Sequence, residues 1–252
     1  MRTTACLVML ALAACSEPER LRLLSYNVNF GLAGDIAGVR AIGQAKADIV
    51  VLQETNPAWE RALIETLGRR YPHVRFADPD GMPAGGLGVM SKFPIREVQT
   101  LPSDGGFFVA WRIVVDTNLG RIQILDVHLR PPTTDDGNYV VGLFSTRDDR
   151  LRELTKHMAS LDPGLPAVIA GDFNEQGDGL ALQYATQRGF TDAIAERHGS
   201  KRTWRWRLPG GMTIEYQLDH ILVDNRLRSV ASEIREVGRS DHFPIWADLE
   251  RR

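Results

Sequence analysis

Asp48-Ile49-Val50-Val51-Leu52-Gln53-Glu54 sets four consecutive apolar residues between an aspartate and an amide–carboxylate pair. A run this short and continuous predicts a buried strand, and it stops on Glu54. The same pattern recurs on either side of it. Asn27 follows Leu23-Leu24, His128 follows Ile124-Leu125, Asp172 follows Ala167-Val168-Ile169-Ala170, and Asp219 precedes Ile221-Leu222-Val223. A rigid strand whose last residue projects into a crevice holds a catalytic group well. A single polar residue at a strand end is ordinarily a cap or a turn. Several potential ligands and proton carriers repeating the pattern point to a site.

The intervening segments set the fold class. Helices are predicted over 35–46, 58–69 (Trp59, Leu63 and Leu67 share a stripe), 146–161 and 181–188. Strands are predicted over 21–27, 86–91, 107–116, 121–128, 214–223, 229–237 and 243–249, with a turn at Asn118-Leu119-Gly120 and a long surface loop over 131–146. Strands in succession broken by a few helices exclude a simple βαβ repeat. They suit an α/β fold with two sheets face to face and helices outside.

Composition narrows the partners. The 252 residues fit one domain, and 43% hydrophobic with 25% charged residues is ordinary for a globular chain. A net charge of -2 argues against gripping nucleic acid by bulk positive charge, while leaving room for a local basic patch. Arg2, an apolar run over 6–12 and Ala13-Ala14 form a signal peptide over 1–14. Leu12-Ala13-Ala14-Cys15 resembles a bacterial lipobox, which implies lipidation of Cys15, a tether over 15–20 and a domain over 21–252. Ser16 after the cysteine favours the outer membrane over the inner. Cys6 leaves with the signal and Cys15 carries lipid, so thiol catalysis and cysteine–zinc sites are excluded from the mature domain.

Seven segments in order then carry a family resemblance: Ser25-Tyr26-Asn27-Val28, 48–54, Gly88-Val89-Met90-Ser91-Lys92-Phe93-Pro94-Ile95, Val127-His128-Leu129, Gly171-Asp172-Phe173-Asn174, Leu218-Asp219-His220-Ile221 and Ser240-Asp241-His242-Phe243-Pro244. Together they resemble the endonuclease/exonuclease/phosphatase superfamily across 21–249. The resemblance implies a four-layered α/β sandwich, two facing mixed β-sheets flanked by helices, with the site at one end. It implies magnesium, with manganese or calcium as alternatives, held principally by Glu54 with Asn27 beside it and Asp241 assisting. Asp172 and Asn174 match the pair that positions water and touches phosphate. Asp219 matches the carboxylate that orients a histidine, His242 that histidine, and His128 the second histidine of pancreatic-type deoxyribonucleases and sphingomyelinase-like members. His220 is expected to be structural, since strand alternation turns it to the opposite face from Asp219. His73, His157 and His198 are assigned to loop or helix contexts without chemical roles.

Lys201-Arg202-Thr203-Trp204-Arg205-Trp206-Arg207 interleaves aromatics with arginines, so Arg202, Arg205 and Arg207 are candidate substrate contacts for a nucleic-acid strand, a phospholipid headgroup or an anionic membrane surface. Trp204 also resembles a Thr-Trp element of family members, so a core tryptophan beside a solvated edge stands as an equal alternative for this segment. Abasic-site endonucleases fit poorly, because Val127-His128-Leu129 carries a histidine and their tyrosine motif has no counterpart. The expected function is extracytoplasmic phosphodiester hydrolysis by a membrane-anchored monomer with no obligate protein partner. A nuclease-like activity ranks ahead of a sphingomyelinase or phospholipase C-like one, then an inositol-phosphate phosphatase. A non-catalytic envelope binding module is the remote alternative.

Overall fold

The computed structural model describes residues 18–77, 81–103, 107–134, 137, 141–142, 145–208 and 210–252. The signal peptide expected over 1–14 and the expected lipidation site Cys15 lie outside the described residues. In chain order the strands are β1 (Leu21–Asn27), β2 (Ile49–Thr55), β3 (His73–Phe76), β4 (Gly86–Ser91), β5 (Ile95–Leu101), β6 (Ala110–Thr117), β7 (Gly120–His128), β8 (Ala167–Asp172), β9 (Thr191–Asp192), β10 (Trp204–Arg207), β11 (Thr213–Tyr216), β12 (Asp219–Val223), β13 (Leu227–Ile234) and β14 (Ile245–Arg251). The helices are α1 (Ile36–Ala45), α2 (Pro57–Leu67), α3 (Arg147–Met158), α4 (Leu180–Gln187) and α5 (Ala195–His198).

Two six-stranded mixed sheets form, in the orders β13-β14-β1-β2-β4-β3 and β5-β6-β7-β8-β12-β9, and β10-β11 is a separate hairpin. Alternate residues of the central strands divide between layers. Leu23, Val51 and Val89 of the first sheet meet Ile113, Ile124, Val168 and Ile221 of the second in the inner core. Leu24, Val50 and Leu52 face outward onto Val39 and Ile42 of α1 and Trp59 and Leu63 of α2. Leu125, Val127 and Ile169 face outward onto Leu154 of α3 and Leu182 of α4. Both faces of each central strand are therefore apolar, as the unbroken run at 49–52 requires. The result is the expected four-layered α/β sandwich.

Helix starts follow local chemistry. Asn56 caps α2 by accepting from the backbone N–H groups of Ala58 and Trp59, with Pro57 next in line, and Asp35 caps α1 by accepting from Gly38. Several boundaries differ from the sequence reading. The predicted strand 214–223 is two strands in different structures, because the chain turns at Gln217-Leu218 where Thr203 Oγ1 accepts from both Leu218 N and Asp219 N. β3, β5 and β10 were not predicted; the outward residues of β5 are exposed polar ones, which leaves little periodic signal. His73 opens strand β3 rather than a loop or helix. In the predicted loop 131–146, Val141, Gly142 and Ser145 are helical, and residues 135–136, 138–140 and 143–144 lie outside the described residues. Among the described residues, no helix is long and apolar enough to cross a membrane.

Candidate active site

Parallel pairing brings the strand ends together. β1 and β2 run parallel, as do β7 and β8, so each pair ends on the same edge. In the second sheet, His128 lies in register with Asp172 and Asp172 with Asp219, which puts three chemically active side chains on adjacent strands. His242 arrives on the segment before β14. That segment is stitched to β10 by Arg205 N donating to Asp241 O, Phe243 N to Thr203 O, and a bridge between Trp204 and His242.

Asn27 spans the gap between the sheets. Its Nδ2 donates to Glu54 Oε1 at 2.9 Å and to Asp172 Oδ2 at 3.1 Å, while its Oδ1 accepts from Asn29 N at 3.1 Å. The neutral amide thus bridges two carboxylates that would otherwise repel. Glu54 Oε2 accepts from Phe30 N at 3.2 Å. His242 Nδ1 donates to Asp219 Oδ2 at 2.9 Å, and its Nε2 lies 3.4 Å from Asp172 Oδ2. His128 Nε2 stands 3.6 Å from the same oxygen, and its ring stacks on Phe108 with centroids 4.0 Å apart. Asn174 N donates to Asp172 Oδ1, and Asn174 Nδ2 is anchored on Leu129 O. Asp241 accepts from Asn29 Nδ2 and from Trp204 Nε1, both at 2.9 Å.

Backbone strain concentrates here. Among the described residues, four non-glycine positions have positive φ: Asn29, Lys46, Glu54 and Asn174. Lys46 closes a helix; the other three are in the site. Glu54 (φ 60°) sits in a bulge where β2 slips against β4 between Gln53 and Thr55. Gly86 permits that bulge, since a Cβ there would meet Thr55 O at 1.9 Å. A left-handed glutamate costs of order 1–3 kcal/mol, which fits a carboxylate aimed for function rather than stability.

Electrostatics divide the two histidines. Burial opposes charge on His242, but Asp219 and Asp172 outweigh it and hold the imidazolium well above the ordinary range. His128 goes the other way, because burial dominates over Asp172 and lowers its imidazole to about 4. Burial raises the carboxyls of Glu54 and Asp172, opposed by the Asn27 hydrogen bond for Glu54 and by the His242 charge for Asp172. At Asp241 burial also pushes upward, but the His242 charge and the bonds from Asn29 and Trp204 win, and its carboxyl falls below the usual range.

The neutral His128 has a consequence for acid stability. Its folded value lies below the unfolded reference of about 6.5, so as pH falls the unfolded chain takes up the proton first. The resulting destabilisation is absent above that value, grows as pH drops towards about 4 and levels off there at about 3 kcal/mol. His128→Gln should remove this slope. Urea unfolding at about pH 7.5 and about pH 4.5 will show a smaller loss of stability in the variant than in wild type, and equal losses would reject a buried neutral imidazole.

All eight of Asn27, Glu54, His128, Asp172, Asn174, Asp219, Asp241 and His242 fall in this one crevice. His220 faces away, its ring between Asp192 Oδ2 (2.6 Å) and Glu175 O (3.0 Å). His157 is buried in α3, and His198 in α5 contacts Ser232 O. The arginine patch divides. Arg202 clamps Glu215 and Glu236, and Arg205 also pairs with Glu236, so both are held by carboxylates, whereas Arg207 makes no ion pair among the described residues. Trp204 is a buried residue that supports the site through Nε1, stacked at 6.1 Å on Tyr216. The sequence reading missed Asn29 and Phe108. Asn29, two residues after Asn27 in a left-handed turn, had a weak local signal; Phe108 had none.

Two facing sheets ending in a crevice of carboxylates, amides and paired histidines define a class of phosphoester-cleaving sandwich folds. The chain belongs to the endonuclease/exonuclease/phosphatase family, whose sequence profile matches residues 24–242. Solved structures agree on the fold. An endonuclease/exonuclease/phosphatase from Beutenbergia cavernae is 20% identical with a TM-score of 0.69, covering 92% of this chain and 72% of its own. A family protein from Bacteroides thetaiotaomicron is 16% identical at 0.67, covering 94% and 100%. TDP2 from D. rerio, complexed with single-strand DNA product, is 15% identical at 0.67, covering 92% and 99%. A search of curated proteins found no match.

Proposed function

We propose that this chain hydrolyses phosphodiester bonds with a divalent cation, magnesium by preference, and acts outside the cytoplasm from a lipid anchor on Cys15. The observation that carries the reading is the Asn27 amide joining Glu54 to Asp172 beside the Asp219–His242 pair. Four carboxylates, those of Glu54, Asp172, Asp219 and Asp241, face one imidazolium. Such a donor set is suited to a hard cation that takes oxygen ligands. Asp172, Asp219 and His242 offer ligand atoms within 4.8 Å of one another. However, His242 Nδ1 already donates to Asp219, and its proton is strongly favoured there, so that trio serves the histidine. Glu54, with Asn27 and Asp241 near, is the better cation site; Asn27 would have to rotate its amide to offer Oδ1. When bound, the cation would neutralise a phosphate oxygen as charge builds.

The chain's own groups divide the remaining work. His242, protonated and oriented by Asp219, donates from Nε2 to a phosphate oxygen. Asp172, steadied through Oδ1 by Asn174 N, accepts a proton from the attacking water. His128, neutral and stacked on Phe108, offers an uncharged hydrogen bond to the leaving side. Turnover of bis-nitrophenyl phosphate that stops with EDTA and returns with magnesium tests the reading; a folded protein with no turnover under any divalent metal overturns it. The anchor is tested separately. Cys15→Ser should move the protein from the membrane to the soluble fraction, and unchanged membrane recovery would reject lipidation.

A further inference from the structure

Along the inner face of the central strands, side chains two residues apart change character towards the crevice. Leu23, Val51, Ile124 and Val168 belong to the apolar core, and Asn27, His128 and Asp172 form the reactive tier. Between them lies a polar tier of Ser25, Gln53 and Asp126, all fully buried. Gln53 of β2 meets Asp126 of β7 across the gap between the sheets. Its Nε2 donates to Asp126 Oδ1 at 2.6 Å and lies 3.4 Å from Ser25 Oγ. Gln53 immediately precedes the bulge at Glu54. Asp126 stands two residues before His128 and in register with Ala170, two residues before Asp172. The contact therefore joins the two sheets directly beneath the side chains that must act together.

We infer that Asp126 is a positioning residue: through Gln53 it fixes the spacing between Glu54 on one sheet and His128 with Asp172 on the other. The inference rests on the phosphodiesterase reading above and adds a support to that site. Asp126 does this as a neutral acid. It makes no ion pair among the described residues, and burial pushes its carboxyl well above the usual carboxylate range, opposed by the Gln53 bond. Asp126 Oδ2 and Gln53 Oε1 are both buried, and neither has a hydrogen-bond partner among the described residues. Both are acceptors while Asp126 is ionised; a proton on Oδ2 supplies the donor that would let acid and amide pair in both directions. The 2.6 Å separation is short for N–H···O and ordinary for O–H···O, which fits a shared acid proton. An ionised Asp126 would instead place an uncompensated charge in the inner core. With Asn27 bridging Glu54 to Asp172 one tier above, the sheets are tied at two successive levels.

Three variants separate positioning from packing. Asp126→Asn keeps the shape and gives Gln53 a neutral partner that pairs in the same two directions. Its turnover should stay well inside the loss of about tenfold or more that a broken supporting contact causes. Asp126→Leu alone should lower both kcat and stability, because it leaves the Gln53 amide unpaired in the core. Adding Gln53→Leu removes that unpaired group and should recover the unfolding temperature. In this double variant kcat on bis-nitrophenyl phosphate should remain about tenfold low at nearly unchanged KM, and the magnesium-induced rise in unfolding temperature should shrink. Recovery of kcat together with stability would overturn the inference by showing that the contact serves packing alone. An Asp126→Asn protein as impaired as the double variant would overturn it too. The acid itself is read by infrared difference spectroscopy of wild type against Asp126→Asn at about pH 8, far above the ordinary aspartate value of about 4. A protonated-carboxyl band is expected there, and without it the neutral clamp falls. The band and the magnesium-induced rise are both read without turnover. A wild-type protein that shows them but hydrolyses no diester would therefore sink the phosphodiesterase reading and leave the clamp standing.

Discussion

His242→Ala should lower kcat by about 10²–10⁴-fold while leaving KM for a small diester nearly unchanged. Nδ1 is fixed on Asp219 at 2.9 Å, and Nε2 faces the open side near Asp172 Oδ2 at 3.4 Å, so the ring has one oriented working nitrogen. Its positive charge also separates two buried carboxylates, and truncation leaves both uncompensated. Some loss of stability is therefore expected, and Asp219→Asn provides the control. It keeps the side chain's shape and removes the charge that holds the imidazolium. The prediction is a smaller fall in kcat, together with a pH profile whose upper limb moves to lower pH because His242 then gives up its proton more easily. A purely structural histidine would cost stability in both variants and leave the profile of the surviving activity unmoved.

How much of this was visible beforehand depends on the range of the interaction. Strand-end chemistry is local: 49–52 must be buried, so Glu54 must come out at an edge, and the same holds for Asn27, His128 and Asp172. Which edges meet is not local. The His128–Asp172–Asp219 register exists because β7, β8 and β12 pair in that order, and no periodicity in any of the three segments encodes it. The arginine patch shows the same limit. Arg202 and Arg205 looked like substrate contacts in their own heptapeptide, but their partner Glu236 lies 34 and 31 residues away. Trp204 was ambiguous for the same reason, since only the fold brings Asp241 under its Nε1. The left-handed turn at Glu54 was also unreadable, because glutamate seldom adopts it; the pairing of β2 with β4 and the close approach of Gly86 impose it.

Glu54→Gln should shift the magnesium dependence of turnover by at least about tenfold to higher concentration, with a larger shift where the metal has no other strong ligand. The substitution is nearly isosteric and keeps one oxygen for the Asn27 or Phe30 N–H. It also relieves repulsion, because burial and Asp241 both disfavour the Glu54 charge. In the absence of metal the variant should therefore unfold at a temperature equal to or above that of wild type. With magnesium the order should reverse. A cation that binds only the folded state stabilises it by RT ln(1 + [L]/Kd), about 2.7 kcal/mol at a hundredfold excess over Kd, and the variant should lose most of that increment. The two signs together separate ligation from generic damage, because a merely disruptive substitution would lower stability with or without metal. A variant that retains both the wild-type titration midpoint and the full magnesium-induced rise in unfolding temperature would move the cation away from Glu54, leaving the Asp172–Asp219–His242 cluster as the place to look for it.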